Sequence, residues 1–232
     1  MKIRKRNNMY QDKSDHQLLE LVSIHKKLTF QAQLYLKREI DKRQLDADFT
    51  NFHQTIEDKR SKINNLDYLE NMGFQSLNSN DSIEITRTKS AVIMDVVAIV
   101  VGLLFVLIGV YAIVTLVDSF NSDEAFNIFE LLLNVGLAYL GILGFQFLSG
   151  INRLIDHSGF KLLGLGQMIT LRKRFDMTLS EVQKEPSSIH LHNSEEEITL
   201  QMDDVNIIST YSDNNIHKIT LKKLKEKLQK VS

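Results

Sequence analysis

Cysteine and tryptophan are absent from the 232 residues, and proline occurs once. Without cysteine there is no disulfide framework, no thiolate metal site and no thiol nucleophile. One proline and ten glycines exclude collagen-like repeats and proline-rich disorder. Neither sign of charge prevails: 28 Lys plus Arg stand against 29 Asp plus Glu, which excludes a polybasic nucleic-acid coat and an acidic tail protein. Signature chemistry is missing as well. Gly159, Gly164 and Gly166 cluster without the Lys-Ser/Thr ending of a phosphate-binding loop or the spacing of a dinucleotide fingerprint, and read as a flexible exit from the preceding segment. No Gly-x-Ser-x-Gly elbow, HExxH helix, kinase set or EF-hand loop occurs. The expectation is a protein that is not an enzyme and carries no cofactor.

What the chain does have is segregation. Residues 96–117 and 131–152 are two stretches of 22 residues without a charge. At about 1.5 Å per residue each covers about 33 Å, enough for a hydrocarbon core of roughly 30 Å. The segments 91–117 and 131–152 therefore read as a transmembrane hairpin. A cleaved leader is not expected, because the first span starts near residue 91 and the N-terminus is charged. Orientation follows from the basic residues: Arg87 and Lys89 precede the first span, Arg153 and Lys161 follow the second, and Arg172, Lys173 and Arg174 lie a little beyond. Loop 118–130 holds no Lys or Arg and reads as an external acidic loop. The positive-inside rule puts both termini in the cytoplasm, and the expected location is a bacterial inner (plasma) membrane.

Inside the spans the polar and small residues carry the information. Asp95 and Glu130 sit at opposite edges of the hairpin, where each can reach water or headgroups. Asn134 and Gln146 lie deeper and are candidates for interhelical hydrogen bonds. Ala98 and Gly102 form a small-xxx-small pair, while Ala138, Gly141 and Gly144 form a small stripe in the second span. These seven residues, Asn134 and Gln146 with the five small ones, are the candidate helix-packing or pathway positions. One hairpin cannot enclose a pore, so a channel would need an oligomer.

Residues 1–13 read as a disordered basic tail, with Lys2, Arg4, Lys5 and Arg6 able to touch anionic lipid. Region 14–72 reads as a cytoplasmic helical module. Ser14 and Asp15 cap a first helix, Thr29 starts a second that ends near Arg43, and Phe49, Phe52, Ile56, Ile63 and Leu66 mark a third, capped by Asp46 or Asp48. That third helix either packs on the preceding pair or forms a self-associating stalk. The pattern of Asp15, Leu18, Leu19, Glu20 and Leu21, followed by Phe30, Ala32, Leu36, Glu39, Ile40 and Arg43, resembles a leader segment of uncharacterised small bacterial two-pass membrane proteins. The resemblance implies a helical leader ahead of spans and no chemistry. Residues 73–90, rich in Asn and Ser at their start, read as a linker.

Beyond the hairpin, 161–232 reads as a small α+β module. Alternation predicts strands at 168–172, 188–192, 197–201 and 205–210, closed by a terminal helix with Leu221, Leu224, Leu228 and Val231 on one face and lysines on the rest. A sheet closed by one helix resembles bacterial pleckstrin-homology-like domains, which implies binding or scaffolding. The Ile198-Thr199-Leu200, Asp204-Val205, Ile207-Ile208 and Leu221-Lys222-Lys223-Leu224 runs resemble the LytTR type of DNA-binding domain, with a shorter interval between its features. Nucleic acid is not an expected partner, since 161–232 holds 11 basic and 10 acidic residues. His190 and His192 with Glu195, Glu196 and Glu197 are the one local metal-like constellation, read as a surface pair with no metal.

The fold class expected is thus a membrane protein, mainly α: a two-helix transmembrane hairpin with an N-terminal cytoplasmic helical module and a small C-terminal α+β module. The expected role is a membrane scaffold, adaptor or regulatory subunit, with membrane lipid and either a protein partner or a homo-oligomer as partners. The alternatives are a membrane-attached DNA-binding transcriptional regulator and a small oligomeric channel or transporter component.

Overall fold

A computed structural model describes residues 9–79, 81–121, 127–175 and 178–230. Helix and sheet are mixed in it. The helices are α1 (Asp15–Ser23), α2 (Phe30–Arg43), α3 (Thr50–Asn65), α4 (Lys89–Asn121), α5 (Ile128–Phe147), α6 (Gly150–Asp156) and α7 (Asn215–Leu228). The strands are β1 (Phe74–Asn78), β2 (Ser82–Arg87), β3 (Lys161–Leu165), β4 (Met168–Phe175), β5 (Thr178–Lys184), β6 (Ile189–Asn193), β7 (Glu197–Met202) and β8 (Val205–Tyr211). The chain divides into two compact units. One takes in the described residues of Met1–Ile83, Gly164–Ile169 and Lys184–Ser232, the other those of Glu84–Leu163 and Thr170–Gln183.

The first unit begins with helices whose ends are set by local chemistry. The Ser14 hydroxyl accepts from the Gln17 N–H at 3.3 Å while the Ser14 N–H donates to Gln17 Oε1 at 3.0 Å, a reciprocal cap. Thr29 Oγ1 accepts from the Ala32 N–H at the start of α2. At α3 the cap position falls on Phe49, and Asp48 Oδ1 accepts from the Thr50 N–H at 2.9 Å. These hydrogen bonds hold the Asp48 carboxyl below its ordinary value. Arg43 ties the segment before α1 to the end of α2: it donates to the carbonyls of Tyr10, Gln11 and Lys13 and pairs with Asp15 and Glu39.

The apolar face of α3 is consumed inside this unit. Phe52, Ile56 and Ile63 pack with Leu18, Phe30, Leu36 and Ile40, and Ile216 and Ile219 of α7 lie against the same cluster. Burial of each such side chain contributes about 1.5 to 3 kcal/mol. Lys59, which interrupts the apolar pattern, donates to Gln33 Oε1 at 2.9 Å, and Gln33 donates in turn to the His25 carbonyl at 2.7 Å. Of the two fates open to this helix, the geometry is that of intramolecular packing.

Strands β6, β7 and β8 form an antiparallel sheet in that order, with Leu191 opposite Leu200 and Leu200 opposite Ile208. The two-residue connection between β7 and β8 puts Asp203 at φ 50, a conformation an aspartate tolerates. Leu221, Leu224 and Leu228 of α7 are fully buried, together with Ile189, Ile198 and Leu200, so the apolar stripe of the last helix is core. Val231 and the basic residues of the tail at 1–8 lie outside the described residues.

The sheet content exceeds the expectation of a mainly α chain. Region 73–90 holds β1, β2 and the start of α4 where a linker was expected. Strands β1 to β5 are ordered in sequence in a second, five-stranded sheet, so the strand expected at 168–172 belongs there and not with β6 to β8. Gly164 lies within β3 and Gly166 turns the chain into β4 at φ +56, which gives the glycine cluster a defined conformation in place of a flexible exit.

In the second unit, α4 and α5 pack side by side. α4 has 33 residues and mean hydropathy 3.0 over its most apolar window; the helical stretch Ile128–Asp156 has 29 residues and 1.9. Both are long and apolar enough to cross a membrane. Their apolar side chains are mainly exposed: only 11% and 17% of those windows are buried.

Candidate functional site

The seven positions singled out in the spans separate into two groups. Gly102 and Gly144 meet face to face: a Cβ on Gly102 would stand 2.8 Å from the Gly144 carbonyl oxygen, and one on Gly144 would stand 2.7 Å from that of Gly102. One helical turn pair further along, a Cβ on Gly141 would lie 2.8 Å from the Gly109 Cα. Backbones this close leave no passage between α4 and α5 at these levels. Ala98 and Ala138 flank the same crossing, 3.9 Å from a Cβ built on Gly150 and, through the Ala138 carbonyl, 3.5 Å from one on Gly109. Asn134 is buried at 5% exposure, whereas Gln146 is exposed. Gly109 was not singled out, although its seven-residue spacing from Gly102 places it two turns along the same face.

Where the hairpin closes, charge is concentrated. Asp95, in the second turn of α4, is 5% exposed and does not reach out to water as its place at the span's edge suggested. Arg87 Nη2, at the end of β2, donates to Asp95 Oδ2 at 2.8 Å, and Arg153 Nη2, on α6, lies 3.5 Å from Asp95 Oδ1. A charge this buried is tolerated because it is paired. The Arg87 side chain is only 13% exposed, but Arg153 is 59% exposed and sits loosely on the pair.

These residues line a cleft of about 360 Å³ together with Thr86, Val92, Leu154, His157, Ser158, Gly159 and Phe160. His157 Nδ1–H donates to the Arg153 carbonyl at 3.0 Å, and the ring stands 5.9 Å from that of Phe160. Burial pushes the His157 imidazole below its ordinary pKa, and Arg87 and Lys173 push it the same way against Asp156 and the Arg153 carbonyl. Lys173 is likewise lowered by burial, with Asp156 opposing. Burial is the largest of these influences, and it disfavours the charged form of the imidazole.

No protein-family model, curated protein or solved structure matches this chain.

The cleft's chemistry has to be read from its own groups. It gathers two guanidinium groups, an imidazole, two hydroxyls and a carboxylate already held by arginine, beside an apolar wall of Val92, Leu154 and Phe160. Such a set recognises charge and hydrogen-bonding shape. In the sequence Arg87 and Arg153 indicate only the orientation of the hairpin, since nothing in it shows that residues 87, 95 and 153 converge.

Elsewhere, His190 and His192 are both exposed on β6, with His190 Nδ1 3.1 Å from the Ser188 carbonyl. Among the described residues no group of three or more His, Asp or Glu is placed to share a metal. In the first unit a wide groove runs past His25, Lys26, Lys27, Asn51, Thr55 and Asp58. His25 Nε2 lies 3.1 Å from Thr55 Oγ1 there, and its Nδ1 lies 2.7 Å from the Val22 carbonyl.

Proposed function

We propose that the chain is a two-pass integral protein of a bacterial inner membrane, with both termini cytoplasmic, that acts by binding as a scaffold, adaptor or regulatory subunit. The observation that carries this reading is that one core draws on both sides of the hairpin: Phe52 and Ile56 precede the apolar helices, Ile216 and Ile219 follow them, and all four meet in one cluster. Segments that share a core must lie on one side of a bilayer. This supports an even number of crossings without using the charge rule at all. The exposure of the apolar side chains of α4 and α5 supports lipid contact, because a core helix of a water-soluble protein would bury them.

Two surfaces offered for self-association are already occupied within the chain. The apolar face of α3 is spent within the first unit, and the Gly102, Gly109, Gly141 and Gly144 stripe is spent on pairing α4 with α5. A partner protein is then met through the cytoplasmic surface.

The absence of cysteine makes topology directly measurable. Single cysteines at the exposed Ser61 and Ser187 should react with a membrane-impermeant maleimide only after the cells are opened, while one at Asn121 should react in intact cells. Reaction of the Ser187 variant from outside would overturn the proposal, as would release of the protein from membranes by alkaline carbonate.

A further inference from the structure

We infer that the face of α5 turned away from α4, on which Gly136 and Gln146 lie, is a docking surface for a second copy of this chain, with each Gln146 side chain hydrogen-bonded to its counterpart. The inference rests on the membrane reading above and names a partner for the hairpin.

The helix geometry defines the face. Gly141 and Gly144 press on α4. At about 100° per residue, Leu132, Gly136, Tyr139, Leu143 and Gln146 fall within about 40° of the direction opposite Gly141. Their alternating steps of four and three residues are the spacing of a helix-pair seam. Leu132 is 64% exposed, Tyr139 is 60% exposed and Gln146 is exposed, while a Cβ on Gly136 would meet nothing within 4 Å. The seam is open over most of its length.

Two of these residues do not suit a surface that meets only hydrocarbon. The Gln146 amide has no hydrogen-bond partner among the described residues. It stands seven residues, about two turns, before Arg153, the first basic residue after the spans. An amide that faces lipid without a partner is costly. Gly136 is not required by the pairing with α4, and against lipid it only leaves a hollow. The corresponding back of α4, formed by Val97, Val100, Leu104, Leu107 and Tyr111, is just as exposed and has neither feature. Tyrosine occurs on both backs and does not distinguish them.

A second copy supplies what the face lacks. Copies inserted with one topology are parallel, so each Gln146 meets its counterpart at the same depth about a two-fold axis. A primary amide has both donors and an acceptor, and two of them satisfy each other reciprocally. The hollow at Gly136 lets the backbones approach along the same seam. If Gln146 instead reaches headgroup water from a lone hairpin, its replacement by leucine should change no association.

The test uses the full chain in native membranes and, purified, in phosphatidylcholine liposomes at a series of protein-to-lipid ratios. Because the chain has no cysteine, single replacements report on one position each. Tyr139→Cys and Leu143→Cys should be joined to a second copy by a short membrane-permeant thiol cross-linker, and Val100→Cys and Leu104→Cys should not. Energy transfer between copies labelled through Ser61→Cys gives the association constant in liposomes. Gln146→Leu should weaken association about 3- to 30-fold, the equivalent of about 0.6 to 2 kcal/mol for an interhelical hydrogen-bonded contact. Gln146→Asn should recover part of the loss, and Leu104→Ala should leave association unchanged. Wild-type association in Gln146→Leu would overturn the inference, as would a wild type that stays monomeric or equal cross-linking from the back of α4. Cross-linking of the 139 and 143 cysteines to another protein in place of a second copy would overturn it too. Because Gln146 is exposed, leucine there should leave the fold intact, as circular dichroism checks directly. Release by carbonate would sink the membrane reading, while an inserted protein without the Gln146 effect would sink only this inference.

Discussion

A methyl group added at Gly109 should force the two apolar helices apart, whereas one added at Gly136 should not. A Cβ at position 109 would stand 2.5 Å from the Gly141 Cα and 3.0 Å from its nitrogen, both backbone atoms that cannot rotate away. Restoring ordinary contact means separating the helices by about 1 Å along much of their crossing. A gap of that size forfeits roughly a quarter to a half of the dispersion energy of the atom pairs affected, and overpacking of this kind costs about 1 to 3 kcal/mol. At Gly136 a Cβ would meet nothing within 4 Å. Both substitutions share whatever alanine gains over glycine as a helix former, up to about 1 kcal/mol in water, so that term cancels in the comparison. Gly109→Ala should therefore be less stable than Gly136→Ala by about 1 to 3 kcal/mol. Reversible unfolding in mixed micelles, followed by helical circular dichroism, measures the difference. Gly141→Ala, whose Cβ would lie 2.8 Å from the Gly109 Cα, should track Gly109→Ala. Equal stability of the 109 and 136 variants would refute the close crossing.

Asp95→Ala removes the buried carboxylate to which Arg87 donates at 2.8 Å and should cost up to about 3 to 5 kcal/mol, while Arg153→Gln should cost at most about 1 kcal/mol because its contact is long and exposed; a double-mutant cycle in nanodiscs separates the two. Leu224→Ala, at a fully buried position of α7, should cost about 2 to 5 kcal/mol and, since Ile216 and Ile219 of the same helix pack on the α3 cluster, should speed tryptic cleavage after Arg60. Unchanged cleavage there would mean α7 does not complete that core. Burial holds the His217 imidazole below its ordinary value of about 6.5, so the unfolded chain takes up a proton before the folded one does. Its contribution to stability is intact above about pH 6.5 and is lost as pH falls through the folded value. His217→Gln should flatten the fall of the thermal midpoint below pH 6.5, and an unchanged profile would count against the His217 assignment.

The helices of the first unit were legible because their ends are written in short-range chemistry. Ser14 with Gln17, Thr29 with Ala32, and Asp48 with Thr50 each satisfy amide groups within three residues. Strands β6, β7 and β8 were legible for a similar reason, since alternation of Ile, Leu and Thr is a local pattern. β1 and β2 were not. Ile83 and Ile85 do alternate, and both are buried, but they follow a run of Asn and Ser and immediately precede a long apolar segment that dominates any window containing them. The cleft was hidden for another reason. Arg87 and Asp95 are eight residues apart and Arg153 is far beyond, so their convergence depends on how α4 and α5 pair, which no window of sequence contains. Asn134 and Gln146 were alike in the sequence and differ in the structure, one buried and one exposed, because polarity within a span does not tell which face of the helix a residue occupies.

The hairpin also has a consequence for the stability of the first unit. Its two halves are separated by roughly 100 residues, and closing a flexible loop of that length costs about 4 kcal/mol plus a constant. The apolar helices are not a flexible loop. A Cβ on Gly150 would lie 3.3 Å from the Asp95 carbonyl oxygen, so the chain leaves the helix pair beside the point where it entered. Once α4 and α5 are paired, the loop to be closed shrinks to the roughly 30 residues of 84–88 and 157–183, and by the same logarithm about 1 kcal/mol of the cost has already been met by helix packing. Pairing of α4 with α5 and closure of α7 onto the Phe52 and Ile56 cluster are therefore linked in free energy even where no side chain connects them. A substitution such as Gly109→Ala should then raise the rate of tryptic cleavage after Arg60, by less than Leu224→Ala does. If Gly109→Ala loosens the hairpin and leaves that cleavage unchanged, the two events are independent and the core of the first unit carries the full cost of its own closure.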